Sequence, residues 1–301
     1  MPSDQNPLAG RVALVAGATR GCGRATAIEL GALGATVYGS GRSTRAGRSP
    51  MNRPETIEDT AELVTAAGGE GIAVRCDHSD PDDVAALVDR IRSDHGRLDV
   101  LVNDVWGGDP FVEDKPVWEH SLDATLSVLR NGIETHLITA HFAIPLMGEG
   151  GLLVEVGDGK ADVPYRTNMS YDIVKTAVVR MGLGLAHELR AHGVTALSVT
   201  PGWLRSEAML EYYNVTEETW REVTDRLPYF AHSETPHLLG RGIAALAADP
   251  EHKRFAGQCL GSWELMRIYD LVDADGSRPD WGAVDRESRL EMLETGIPDL
   301  A

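Results

Sequence analysis

Seven short stretches of the chain are nearly continuous in apolar residues, many of them β-branched: RVALVAG (11–17), ATVYGS (35–40), GIAVRCD (71–77), LDVLVND (98–104), GLLVEVGD (151–158), VTALSVTPG (194–202) and AGQCLGS (256–262). They do not alternate apolar with polar, which is the pattern of strands covered by helices on both faces. Between them, helical segments run over about 21–33, 55–67, 82–95, 116–147, 169–192 and 235–248. Glu55 and Asp82-Asp83 place acid in first turns, and Gly68, Gly96 and Gly193 fall just past helix ends. Strand and helix take turns, which predicts an α/β domain built on one doubly wound parallel sheet of seven strands flanked by helices.

Three stretches interrupt this order. Residues 43–54, STRAGRSPMNRP, form a loop rich in arginine and proline. Residues 203–233 follow the sixth strand and carry Trp203, Tyr212, Tyr213, Trp220, Tyr229 and Phe230. Loops beyond the C-terminal ends of parallel strands line the ligand crevice, so this segment reads as a mobile flap over a substrate. Residues 263–301 are an acidic C-terminal extension.

Composition narrows the function. The 301 residues hold 43% apolar and 25% charged positions, ordinary for a globular protein. Against 46 acidic side chains stand 28 basic ones, a formal charge of −18. That argues against nucleic acid or an anionic membrane as partner, yet leaves room for a local basic pocket around a small anion. Cys22, Cys76 and Cys259 lie far apart and offer no metal-ligand spacing, so no metal is expected. The polar start, MPSDQNPLAG, has no apolar signal core, no run reaches membrane-spanning length, and a cytoplasmic location is the expectation.

The segment AGATRGCGRATA joins the first strand to the first helix, with Gly17, Gly21 and Gly23 in G-x-x-x-G-x-G spacing. Missing Cβ atoms allow a tight turn and let a pyrophosphate approach the N–H groups of a helix N-terminus. An ordinary glycine-rich turn shares the motif, but its place in the first βα unit favours a nucleotide. At the end of the second strand an NAD site carries an acid for the ribose 2′-hydroxyl. Here Gly41 stands in that place and Arg42 follows, with Arg20, Arg45 and Arg48 nearby. A 2′-phosphate needs such charge-assisted bonds, so NADP(H) is favoured over NAD. Asp77 ends the third strand, where a carboxylate can accept from the adenine amino group. Asn103 ends the fourth, where an amide can brace the ribose and the strand carbonyls. Thr19, Cys22, Ser43, Cys76 and His78 adjoin these positions and complete the nucleotide half of the set.

Tyr171 and Lys175 are four residues apart on a predicted helix, which puts them on one face. A phenol with a pKa near 10 catalyses proton transfer at neutral pH only where a cation stabilises its anion. Glycine loop, Asp77, VNDVWGG, Tyr171-x-x-x-Lys175 and TPGWLRS occur in an order that resembles the short-chain dehydrogenase/reductase family over about residues 8–262. From 185 to 282 the chain looks particularly like the branch that contains mammalian dehydrogenase/reductase member 1, so the extension is expected to pack on the same Rossmann-type domain. The resemblance implies that Tyr171 exchanges a proton with the substrate and that Lys175 lowers the phenol's pKa and holds the nicotinamide ribose. It further implies that Pro201, Gly202, Leu204 and Ser206 flank the nicotinamide and pyrophosphate. A homodimer or homotetramer built on the helices at 116–147 and 169–192 is implied as well.

Two positions depart from that family. Its catalytic serine stands thirteen residues before the tyrosine, where this chain has Asp158, after Gly157. Its relay asparagine aligns with Gly132, and a one-residue bulge would bring Asn131 into place. An ionised carboxylate only accepts hydrogen bonds. Its charge opposes Lys175: at about 4 Å and an effective dielectric of about 20, two charges interact by roughly 4 kcal/mol, or around three pKa units. Tyr171 would then stay protonated, which suits reduction. Other readings remain open: a neutral Asp158 that donates, a cationic imine or iminium substrate, or an Asp158 turned away to Lys160 or Arg166. The expectation is an NADPH-dependent reductase of a carbonyl or related C=X group in a mid-sized, largely apolar small molecule. Trp106, Tyr165, Trp203 and Met209 are the candidate pocket residues. Alternatives are a dehydratase, isomerase or epimerase with Asp158 as base, and a binding protein that has lost its chemistry.

Overall fold

The computed structural model describes residues 6–49, 51–160, 165, 166 and 168–284. Seven strands form one parallel sheet: β1 (Val12–Ala16), β2 (Thr36–Gly41), β3 (Glu70–Arg75), β4 (Leu98–Asn103), β5 (Met147–Val156), β6 (Thr195–Thr200) and β7 (Cys259–Gly261). Their order across the sheet is 3-2-1-4-5-6-7, with every neighbouring pair parallel. The continuous apolar runs have their explanation here, because successive residues of one strand enter different cores. From β1, Ala13 and Val15 pack on one face with Leu30, Leu239 and Ile243, while Val12 and Leu14 pack on the other with Val84, Leu87 and Ile91.

The first face carries α1 (Gly21–Ala32), α2 (Ile57–Ala67) and α8 (Pro236–Ala248); the second carries α3 (Pro81–His95), α5 (Thr135–Ala143) and α6 (Met169–Leu189). Side-chain caps start most of them: Thr56 accepts from Asp59 N, Asp80 from Asp82 N, Asn168 from Tyr171 N and Thr235 from His237 N. The helix expected over 116–147 is divided. α4 (Leu122–Leu129) runs into a π-helical turn, Arg130–Glu134, before α5 begins. Side-chain periodicity hardly registers such a turn, which leaves the helix continuous and shifts its face by one residue.

The flap is structured as well. It contains α7 (Glu207–Tyr212) and two 3-10 turns, and Tyr213, Trp220, Val223, Leu227 and Phe230 form its own small core. Beyond β7 the chain forms α9 (Ser262–Tyr269), which seats Leu265 in the main core. Arg205, 1% exposed, ties flap and extension together. Its guanidinium donates to Glu217, to the Ser233 carbonyl and to Asp275, and stacks 4.1 Å from the Trp220 ring. Residues 285–301 of the predicted extension lie outside the described residues.

If residues 263–284 belong to one cooperative unit with the sheet, Arg205→Met leaves two carboxylates without their cation. A loss of about 3 kcal/mol in a single urea transition is the expected result. Two separate transitions in the parent would contradict it.

Candidate active site

The site lies where the chain leaves the C-terminal ends of β1 and β4, on either side of which the sheet grows in opposite directions. The glycine turn is pressed against the exit of β4. Gly17 has φ +88°, and a Cβ there would meet the Asp104 carbonyl oxygen at 2.3 Å. Gly23 is packed equally hard, with its Cβ position 2.3 Å from the Gly17 carbonyl oxygen. Gly21, also at positive φ (+55°), has open space over it, and its N–H donates to the Glu207 carboxylate at 3.0 and 3.3 Å.

A cavity of about 780 Å³ runs from here along the strand ends. It takes in most of the residues named from sequence: Gly17, Thr19, Arg20, Gly21 and Cys22; Arg42, Ser43, Cys76, Asp77 and His78; Tyr171 and Lys175; Pro201, Gly202, Leu204 and Ser206. Gly23 packs behind the turn instead. Asn103 is fully buried and does not reach the cavity, because it pairs in register with Glu155 of β5 and turns towards it. Its amide donates to the His136 carbonyl and to Glu155.

At one end of the cavity Gly41 leaves no place for an acid, since even a Cβ would meet Thr19 Oγ1 at 2.4 Å. Arg42 lies there with one guanidinium nitrogen 3.9 Å from Asp77, whose carboxylate also accepts from Ser79. Arg20 borders the same space. The other two arginines do not. Arg45 is held by Asp59 and Glu62 on α2, and Arg48 is exposed outside the cavity. His78 sits between Ser40 and Thr139, and burial lowers its pKa to about 4, so it is neutral.

At the other end the first two turns of α6 place Tyr171 and Lys175. Tyr171 Oη donates to Asp158 Oδ2 at 2.6 Å. Lys160 pairs instead with Glu264, and Arg166 binds the Asp172 carboxylate and the Asp158 carbonyl. The arrangement with Asp158 turned away is therefore not adopted. Burial pushes the Tyr171 phenol well above its usual pKa, and the charge of Asp158 and its hydrogen bond add to this. The Lys175 ammonium lies 4.2 Å from the centre of the Trp106 ring and 5.4 Å from that of Tyr171. Trp106 also meets Tyr171 edge-on and donates from its indole to Asp109.

Gly132 packs beneath this group. A Cβ there would meet Val174 at 2.3 Å and the Trp106 ring at 2.9 Å. Asn131, on the π turn, lies in the cavity wall, with its amide donating to the Ser127 carbonyl. Trp203 and Met209 line the cavity, whereas Tyr165 is 51% exposed and lies outside the wall.

Other residues at the site escaped sequence reasoning. Trp263 and Trp281 line the cavity from the extension, with Trp281 edge-on to Trp203. Glu207 stands beside Ser206, but nothing in the sequence joins it to Gly21. Below the floor, His136 bonds Glu155 through Nδ1 and the Val105 carbonyl through Nε2, with both His136 and Glu155 buried. Asp104, next to Asn103, is half-buried against the glycine turn on the cavity wall, and desolvation raises its pKa to about 7. Among the described residues there is no His, Cys, Asp and Glu cluster fit for a metal, and no helix is long and apolar enough to cross a membrane.

A doubly wound sheet, a glycine turn opening on the switch point and a Tyr–Lys pair beside it define a nucleotide-binding oxidoreductase fold. The chain belongs to the short-chain dehydrogenase/reductase family, whose profile, described as short chain dehydrogenase, matches residues 11–217. The mouse and human proteins named dehydrogenase/reductase SDR family member 1 are each 32% identical to it over 276 residues, covering 90% of this chain and 85% of theirs. Among solved structures, a short chain dehydrogenase from Mycobacterium thermoresistibile superposes with a TM-score of 0.75 at 21% identity, covering 91% of this chain and 92% of that one. Another, from Burkholderia cenocepacia in complex with NADP, has a TM-score of 0.68 at 25% identity and covers 85% of this chain and 97% of that one. The family uses nicotinamide cofactors.

Asp104 makes the stability depend on pH. Its folded pKa is raised, so the folded state binds more protons than the unfolded one between 3.8 and about 7, and stability falls as pH rises through that window. Asp104→Asn is therefore expected to gain on the parent by up to about 1.4 kcal/mol per pH unit across the window, read from urea melts in a pH series. Parallel profiles for the two proteins would exclude the shift.

Proposed function

We propose that the protein is an NADPH-dependent oxidoreductase that reduces a carbonyl or related C=X group in a mid-sized, largely apolar small molecule. The observation that carries this reading is the Tyr171 hydroxyl donating to Asp158 beside Lys175, within the cavity. A phenol held in its protonated form is ready to give a proton and poorly suited to take one, which favours reduction over alcohol oxidation. NADP in preference to NAD is supported by the space denied to an acid at Gly41 and by Arg42 and Arg20 on the cavity wall. The N-terminus of α1 borders the cavity at Gly21, which suits a pyrophosphate, and Asp77 suits the adenine end.

Reduced NADP, when bound, supplies a hydride to the substrate carbon. Tyr171 Oη gives its proton to the oxygen or nitrogen at the other end of the reducible bond. Lys175 stabilises the phenolate left behind, as a cation close to the ring. Trp203, Met209, Trp263 and Trp281 supply the apolar walls that keep water from the reacting bond. Asn131 forms part of the same wall, where the π turn faces the substrate.

A second reading, an imine or iminium substrate, is favoured by the direction of the Asp158 side chain. A carboxylate offers nothing to a neutral carbonyl oxygen, whereas a protonated C=N–H can donate to it and be stabilised by its charge. In either case the chain is taken to act as a homodimer or homotetramer. Leu122, Leu126, Leu137, Met169 and Ile173 are exposed along α4, α5 and α6, the faces expected to pair.

NADPH consumption across ketones, enones and imines tests the chemistry. Tyr171→Phe is expected to lose at least about 100-fold in kcat/KM, and full activity in that variant would remove the proton-donor role. Asp158→Ser is expected to shift preference from C=N towards C=O substrates, while an unchanged profile would leave Asp158 without a part in selection. Arg42→Ala is expected to weaken NADPH binding by about tenfold or more and to leave NADH nearly unaffected, measured by cofactor titration. Equal losses for both would exclude a 2′-phosphate contact.

A further inference from the structure

The helices α2, α3, α4, α6, α7 and α8 each begin at a Ser, Thr, Asp or Asn whose side chain accepts from the first turn. Helix α1 does not. Its N-cap is Arg20, which has no acceptor to offer, and the N–H of Gly21 is satisfied by Glu207, 186 positions further along the chain. Glu207 is the first residue of α7, the helix that opens the flap. The far end of α7 is tied as well, since Glu211 pairs with Arg53, which also holds Glu55 on the loop after β2. Helix α7 is thus a strap across the nucleotide half of the cavity, fastened to the glycine turn at one end and to the β2–α2 loop at the other. Glu207, Ala208 and Met209 line the cavity beneath it.

A helix N-terminus with free N–H groups is an anion site, and here the anion is the protein's own carboxylate. A carboxylate and a pyrophosphate cannot both accept from the Gly21 N–H, and their charges repel each other. The geometry points to Glu207 as a built-in occupant of the pyrophosphate seat, exchanged for the pyrophosphate when a dinucleotide binds. Exchange frees the first residue of α7, so occupancy of the nucleotide end is transmitted to the flap that carries Met209 into the substrate end. Glu207 thereby lowers cofactor affinity and couples cofactor entry to the position of the flap. This rests on the dinucleotide reading of the cavity proposed above.

Two probes separate the claims: 2′-phospho-ADP-ribose, which has both the 2′-phosphate and the pyrophosphate, and adenosine 2′-monophosphate, which lacks the pyrophosphate. Their Kd values are measured by calorimetry for the parent and for Glu207→Gln. The isosteric amide is expected to tighten 2′-phospho-ADP-ribose by about tenfold, the worth of one charge-assisted contact, and to leave adenosine 2′-monophosphate within about twofold. No change, weaker binding or an equal gain for both probes would overturn the exchange. Failure of both probes to bind the parent would instead sink the dinucleotide reading. Glu207→Asp, which shortens the reach to Gly21, is expected to move the two constants in the same directions and serves if the amide variant does not fold.

Discussion

The contact between Gly17 and the Asp104 carbonyl determines where everything else in the site stands. The chain leaving β1 and the chain leaving β4 touch at their backbones, with Asp104 N also donating to the Ala16 carbonyl. No side chain fits between them, so the turn must be glycine, and α1 begins directly over the point where the sheet order reverses. Its N-terminus is aimed along the cleft by backbone packing rather than by a flexible loop. The carboxyl of Asp104 lies against Gly23 at the same turn, and desolvation there raises its pKa.

The reacting end rests on a second, polar foundation. Asn103, Glu155 and His136 form a buried network that grips the Val105 carbonyl. Trp106 follows at once and stands between Lys175, Tyr171 and Gly132. The ammonium and the phenol therefore work against a rigid aromatic surface whose height is set by hydrogen bonds one layer below. Such networks hold position when their members are paired: the histidine ring, the glutamate carboxylate and the Asn103 Nδ2 are bonded, while Asn103 Oδ1 is buried without a partner.

Much of this was legible in the sequence, for a physical reason. Strands buried on both faces must be apolar throughout, so the interior ones could be read directly. Edge strand β3 is only half-buried yet still carries an apolar run, and the glycines of the first turn announce a close backbone approach by their spacing. The π turn at 130–134 left no mark in the apolar periodicity, and only the one-residue offset needed to bring Asn131 to the relay position pointed to it. Arg45 looked like a phosphate ligand beside Arg42, but its partners Asp59 and Glu62 lie one helix further on, and their pull decides its direction. Asn103 had the residue type of a cofactor contact, yet the register with Glu155 turns it inwards. Asp158 could be placed by counting back from Tyr171, whereas its orientation awaited the partners taken by Lys160 and Arg166.

Trp281 enters the substrate end from a stretch well beyond the last strand. Part of the cavity wall is thereby supplied by a stretch that adds no strand to the sheet and no residue to the glycine turn. Changes of length or bulk there can alter which molecules are admitted while the Tyr–Lys pair and the glycine turn stay untouched.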